Sequence, residues 1–263
     1  MRTTQNTLKK MYHEGEKFTV LTCYDACFAA FLENAGIDVL LVGDSLGNVL
    51  QGKETTLSVS LGEMLYHTRC VSAGSNKAFI MADMPFGTFQ ESPEQAFGNA
   101  SKLLAAGAQM VKIEGGRIMS ETIRFLTQRG IPVCAHIGLT PQSVHQFGGY
   151  KIQGKSDSEA KQLVEDALFL EKAGANMLLM ELVPATLAKG ITNELSIPTI
   201  GIGAGANCSA QVLVLHDMLG LNLERNTRFV KNFMVGASNI EEAIKNYIDE
   251  VKIGKFPGSE HEF

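Results

Sequence analysis

The 263-residue sequence has no run of lysine and arginine, no C-x-x-C pair and no apolar stretch near the ~20 residues that span a bilayer. Each absence closes off a class of protein. With 23 Lys and Arg against 28 Asp and Glu, a formal charge of −5, the chain offers no basic footprint for nucleic acid. The cysteines, Cys23, Cys27, Cys70, Cys134 and Cys208, are odd in number and unpaired in spacing. They read as reduced, buried thiols rather than a disulfide framework. The opening "MRTTQNTLKKMYHEGEK" has no apolar core of the kind a secretory signal needs. A soluble, cytoplasmic protein is the expectation. No Pro- or Ser-rich linker divides the chain, so residues 1–263 are expected to form a single domain with a short N-terminal extension and a C-terminal helix.

What is present is alternation. Short apolar runs predict strands at Phe18–Thr22, Val39–Val42, Ala78–Ala82, Met110–Ile113, Pro132–Ala135, Asn176–Met180 and Thr199–Ile202, with a weaker eighth at Val212–Leu215. Helix signals fill the gaps. Ser92-Pro93-Glu94-Gln95 offers a cap, a proline at the first helical position and a capping-box partner, with Gly107 as the stop. Ser156-Asp157-Ser158-Glu159 opens a second capping box that runs to Gly174, and Asn239–Ile253 reads as a terminal amphipathic helix. Eight such alternations predict an α/β fold, a single (β/α)8 TIM-like barrel, with a doubly wound open sheet as the alternative. Both folds gather ligands at the carboxyl ends of their strands.

At those ends stand charges. "VLLVGDSLG" runs into Asp44, "AFIMAD" ends on Asp83, and "MVKIEG" carries Lys112 and Glu114 on one face, since side chains alternate along a strand. Three converging carboxylates repel unless a cation joins them, and oxygen ligands suit Mg²⁺ or another hard divalent ion. Each acid could instead cap the following helix or reach solvent. Glu181 ends the apolar run "NMLLMEL", where its carboxyl could serve as an acid or base or sit in a structural ion pair. His136 in "VCAHIGLTPQ" could act in catalysis or only hold a hydrogen bond. "GIGAGAN" could cradle a phosphate or form a tight turn, "FGGYKIQGKSD" could be a lid or an interface, and Asp25 could serve the site or cap a helix.

Taken in order, "LLVGDSLG", "QG...TTL", "MADMPFGTF", "SPEQAF", "VKIEGG", "AHIGLTPQS", "FGGYKIQG", "LLMELVP", "IGIGAG" and "VLHDMLG" resemble the ketopantoate hydroxymethyltransferase family from about Thr22 to His261. That resemblance implies a barrel of the phosphoenolpyruvate/pyruvate superfamily type. It implies transfer of a one-carbon unit from methylene-tetrahydrofolate to 3-methyl-2-oxobutanoate through a metal-stabilised enolate, towards pantothenate. By motif, Asp44, Asp83 and Glu114 match the metal acids, Ser45 and Lys112 match keto-acid contacts, Glu181 matches the catalytic carboxylate, and His136 matches an active-site histidine. A homo-oligomer, a decamer in the family, is also implied. Two departures stand out: Ser209-Ala210 occupies the place of an Asp-Gly pair, and "RFVKNF" lacks a proline before its last phenylalanine. A Mg²⁺-dependent carbon–carbon lyase or mutase acting on a 2-oxo acid is the alternative within the superfamily, although no "KKCGH"-type cysteine loop is present. A non-catalytic metabolite-binding barrel is the alternative outside enzymes, and it gives no reason to align these charges.

Overall fold

The computed structural model describes residues 2–222 and 227–263. Strands β1 (Phe18–Thr22), β2 (Val39–Val42), β3 (Phe79–Asp83), β4 (Met110–Glu114), β5 (Val133–Gly138), β6 (Met177–Glu181), β7 (Thr199–Ile202) and β8 (Ala210–Leu213) pair in parallel in chain order. β8 returns to β1, with Phe18 opposite Ala210 and Leu21 opposite Leu213, so the sheet closes into a barrel. The open-sheet alternative falls.

Strands β1, β2 and β7 keep the expected bounds. β3, β4 and β6 run one residue further than expected, so Asp83, Glu114 and Glu181 are the last residues of their strands. β5 reaches Gly138 and takes His136 into the sheet. A polar side chain does not end a strand while a neighbour still supplies ladder hydrogen bonds, and Glu114 pairs in register with His136, Gly138 with Glu181. β8 starts two residues earlier than expected, because Ala210 and Gln211 are paired to both β1 and β7.

Alternation sorts every strand into two faces. Phe18, Val20, Val39, Leu41, Phe79, Met81, Met110, Cys134, Met177 and Leu179 form one cluster inside the barrel. Their neighbours Leu21, Leu40, Val42, Ile80, Val111, Ile113, Ala135 and Leu178 form another, between the sheet and the helices. Helix α1 (Gln5–His13) lies across the amino-terminal mouth, where Leu8 is fully buried in the inner cluster and Met11 packs beside it. That plug went unrecognised in a polar segment, because only Leu8 and Met11, three residues apart, face inward.

The outer ring and the rims are made by α2 (Ala26–Ala35), α3 (Leu46–Val49), α4 (Leu61–Gly74), α5 (Pro93–Ala105), α6 (Ser120–Thr127), α7 (Val144–Phe147), α8 (Asp157–Lys172), α9 (Ala185–Glu194), α10 (Leu215–Met218) and α11 (Ile240–Lys252). The caps fall largely as expected. Ser156 and Glu159 close a reciprocal capping box, and Asn239 Oδ1 accepts the Glu242 amide at 2.9 Å. Ser92 caps α5, but the Gln95 side chain turns to the Glu91 amide at 3.3 Å, so that box stays open. No helix separates β7 from β8. Residues 203–209 bring the chain straight back, with the Lys17 ammonium donating to the carbonyls of Ala206 and Cys208 at 2.8 and 2.5 Å. α11 guards the seam of the barrel: the Tyr247 hydroxyl lies 2.9 Å from the Val20 carbonyl of β1 and 2.8 Å from the Gln211 carbonyl of β8. Among the described residues no helix is long and apolar enough to cross a membrane.

Candidate active site

A cleft of about 750 Å³ opens at the carboxyl end of the barrel, and Asp44, Ser45, Asp83, Lys112, Glu114, His136 and Glu181 all line it. The register explains the convergence. Asp83 sits opposite Lys112, and Glu114 opposite His136, on neighbouring strands with inward-facing side chains. Asp44 comes from the turn after β2, where Gly43 leaves room. A Cβ on Gly43 would stand 2.8 Å from Ser45 Oγ and 3.5 Å from Asp83 Oδ2. Asp25, by contrast, is a helix cap: its Oδ1 accepts the Phe28 amide at 2.8 Å.

Lys112 holds the centre. Its Nζ lies 3.3 Å from Asp83 Oδ1, 3.4 Å from Glu114 Oε1 and 3.0 Å from His136 Nδ1. The contacts to Glu114 and His136 are hydrogen bonds, and the one to Asp83 Oδ1 is an ion pair without a hydrogen bond. Burial favours loss of its proton, but the surrounding carboxylates outweigh that and push its pKa up, so Lys112 stays charged. Burial and Lys112 lower the basicity of His136, while Glu114 and Glu181 raise it to above an ordinary imidazole. The Lys112 ammonium can only donate, so a neutral ring beside it accepts at Nδ1 and carries its own proton on Nε2, which lies 3.4 Å from Glu181 Oε2.

The acids fall into two kinds. Against the cost of burial, Lys112, His136 and the Gln142 amide hold Glu114 below the usual carboxylate range. Asp44 is pushed well up, first by burial and then by repulsion from Asp83 and Glu114. Asp83 is also raised, with burial outweighing Lys112 and the hydrogen bond its Oδ2 accepts from the Asp44 amide at 3.0 Å. Asp83 Oδ1 is buried and has no hydrogen-bond partner. Among the described residues, Asp44, Asp83, Glu114 and Lys112 are the buried formally charged side chains, so full ionisation gives −3 + 1 = −2. A divalent cation beside Asp44 and Asp83 would cancel that deficit, and their hard oxygens suit it. Glu114 Oε1 lies 3.4 Å from the Lys112 ammonium, and no three His, Cys, Asp or Glu side chains among the described residues are gathered as a ready metal cage.

Ser45 Oγ is 2.9 Å from the Tyr24 hydroxyl, which fixes its direction at the cleft wall. Glu181 is aimed by a strained residue: Leu182, directly after it, has φ 48°, unusual for a bulky side chain and costing ~1–3 kcal/mol. Two backbone bonds hold it there, from Leu182 N to Ile202 O and from Gln153 N to Leu182 O, both 2.9 Å. Gly138 makes room for that turn, since a Cβ there would lie 2.3 Å from the Glu181 carbonyl. The "GIGAGAN" loop is packed too closely for an open anion cradle. A Cβ on Gly205 would meet Ala185 Cβ at 2.6 Å, and the Ala206 amide is already given to Glu262 Oε1 at 3.2 Å.

Gln142 was not singled out, although it sits inside the quoted "AHIGLTPQS". It is buried, its side chain donates to Asp44 and its backbone amide to Glu114. An amide carries no charge, so a search for ionisable residues passes over it. The glycine-rich loop at Phe147–Asp157, expected as a lid or an interface, brings Tyr150, Lys151 and Lys155 to the mouth of the cleft; Arg228, Phe229 and Phe263, from the last third of the chain, also line it and were not singled out. The Ser209-Ala210 departure lies at the opposite end of the barrel, where Ser209 N donates to Thr199 Oγ1 at 3.2 Å and Ala210 is buried in the inner cluster.

A closed parallel barrel whose carboxyl rim presents an acid–lysine–histidine cluster in a deep cleft has the architecture of a (β/α)8 enzyme. Solved structures share that fold. Phosphonopyruvate hydrolase, crystallised with oxalate and Mg²⁺, aligns with a TM-score of 0.64 at 15% identity over 94% of this chain and 96% of its own. 2,3-Dimethylmalate lyase, a member of the PEP mutase/isocitrate lyase superfamily, aligns with a TM-score of 0.60 at 17% identity over 85% of this chain and 84% of its own. Sequence similarity is far stronger elsewhere. The ketopantoate hydroxymethyltransferase family model matches residues 2–259. The 3-methyl-2-oxobutanoate hydroxymethyltransferase of Nitrosospira multiformis is 67% identical over the full length of both chains. Those of Nitrosomonas europaea and Thiobacillus denitrificans are 65% and 58% identical, each covering all of this chain and 97% and 100% of their own. The chain belongs to the ketopantoate hydroxymethyltransferase family, and its activity is the hydroxymethyl transfer that names the family. The lyase or mutase reading rests only on the distant structures and gives way to this one.

Proposed function

We propose that the chain transfers the one-carbon unit of methylene-tetrahydrofolate to the third carbon of 3-methyl-2-oxobutanoate, giving 2-dehydropantoate on the route to pantothenate and coenzyme A. The observation that carries the site assignment is the buried pair Asp44 and Asp83, whose full ionisation with Glu114 would leave a deficit of two against Lys112. With Glu114, these two residues would hold Mg²⁺ or a similar hard cation, and Glu114 also pairs with Lys112. When bound, such an ion draws electron density from the keto oxygen and offsets the charge of the enolate.

The remaining work falls to the chain's own groups. Ser45, oriented by Tyr24, donates to the substrate carboxylate. Lys112, kept protonated by its acidic neighbours, adds positive charge beside the developing oxyanion. Glu181 moves the proton: its side chain is only 15% exposed, and its Oε2 is paired with His136 Nε2 at 3.4 Å. His136 thereby ties the proton-transfer residue to Lys112. At the mouth, Lys151, Lys155 and Arg228 offer positive charge to the anionic glutamate tail of the folate. Residues 1–263 as a single barrel domain, a cytoplasmic homo-oligomer and, by family resemblance, a decamer complete the proposal.

The test is ketopantoate formation from 3-methyl-2-oxobutanoate and methylene-tetrahydrofolate, with and without chelator. Product formed only when the cation is present supports the assignment. Transfer at the same rate in chelator would remove the metal from it.

A further inference from the structure

The Gln142 side chain is buried, and each of its polar groups is committed. Nε2 lies 2.8 Å from Asp44 Oδ2 and 2.9 Å from the Met84 carbonyl, while Oε1 lies 3.2 Å from Gln90 Nε2. Carboxylate and carbonyl oxygens only accept here, so the amide must present its NH₂ to them and its oxygen to Gln90. Gln90 is fixed in turn, because its Oε1 accepts the backbone amides of Gly87 and Phe89 at 2.8 and 3.4 Å. Two amides thus carry an orientation from a backbone turn to a carboxylate. The consequence is stereochemical. Asp44 Oδ2 is held by Gln142, which leaves Oδ1 for the cleft. Asp83 Oδ2 is held by the Asp44 amide, which leaves Oδ1, free of hydrogen bonds and ion-paired with Lys112 at 3.3 Å.

We propose that Gln142, backed by Gln90, is a positioning residue that holds the Asp44 carboxylate in a one-oxygen, cation-ready orientation. This rests on the reading that Asp44 and Asp83 hold a divalent cation. Partners of this kind, hydrogen-bonded to a ligand rather than to the ion, alter metal affinity by about 10–100-fold when lost.

The experiment is a Mn²⁺ titration, following free Mn²⁺ by electron paramagnetic resonance, on wild type, Gln142→Met and Gln90→Met. Thermal unfolding of each in chelator runs alongside. Gln142→Met keeps the size and removes the donors, and its Mn²⁺ affinity is expected to fall about 10–100-fold. Gln90→Met frees the amide to turn over, and a loss of about threefold is expected with little change in the chelated melting temperature. Gln90 is solvent-exposed, so this variant keeps the question open to test if Gln142→Met does not fold. Wild-type Mn²⁺ affinity in the folded variants overturns the positioning role, and a drop in melting temperature without any change in affinity does so equally, by making Gln142 purely structural. A wild-type protein that binds no Mn²⁺ fails one step earlier and overturns the cation reading together with this one.

Discussion

The two ends of the barrel are built from the same strands with the same alternation, yet their interiors are chemically opposite. At the amino end Phe18, Phe79, Met110 and Met177 meet Leu8 of the plugging helix and complete one another. Two residues further along β3 and β4 stand Met81 and Lys112, and two beyond those Asp83 and Glu114. The apolar end is self-sufficient, whereas the charged end, if fully ionised, is two positive charges short of neutrality. The lesson is that stability and function divide along the length of a strand rather than between elements.

The largest effect that could break this contrast comes from the charged end. Asp83→Ala removes a cation ligand worth several kcal/mol of transition-state stabilisation, so ketopantoate formation should fall by about 10³-fold or more. Steady-state turnover at saturating substrate measures it, and a loss under tenfold would mean Asp83 does not hold the ion. Glu181→Gln, at the same end, keeps the volume and removes the base. Turnover should fall about 10²–10⁴-fold while Mn²⁺ affinity is unchanged, and a matching loss of affinity would move Glu181 from proton transfer to metal binding.

At the apolar end the expected damage is of the other kind. Phe79→Ala opens a cavity and should cost about 3–5 kcal/mol in chemical denaturation, while the folded fraction keeps its Mn²⁺ affinity. The smallest expected effect is on pH dependence. Asp44 and Asp83 have folded-state pKa values raised above their unfolded ones, so protonation favours the native state. In chelator their contribution is fully present below the ordinary carboxylate range and is lost as pH rises through the raised values. Glu114, held low, has the opposite sign: its contribution is present above that range and is lost as pH falls through its depressed value. Chelated protein should therefore lose melting temperature as pH climbs past the raised values. Mg²⁺ at about 100 times its dissociation constant should restore ~2.7 kcal/mol. Identical melting curves with and without Mg²⁺ at high pH would contradict it.

Much of this was legible in the residues. The apolar runs predicted seven strands nearly in place, because a strand buried on both faces has little freedom in composition. The seven nominated site residues meet in one cleft, because a parallel barrel delivers every strand end to the same rim. What escaped has physical reasons. Helix α1 buries only Leu8 fully and Met11 in part, too little to register against a polar background. Gln142 works through amide hydrogens rather than charge. β8 begins at Ala210 through pairing on both sides, which composition does not encode.

The most direct measurement of the central claim isolates the first chemical step. 3-Methyl-2-oxobutanoate is incubated with the protein in D₂O without folate, and loss of the third-carbon proton signal is followed by NMR, in chelator and after Mg²⁺ is restored. The account predicts exchange in the Mg²⁺-restored sample, none above background in chelator, and none with Asp83→Ala under either condition. Equal exchange with and without the cation would contradict it, and the buried charge deficit would then need another explanation.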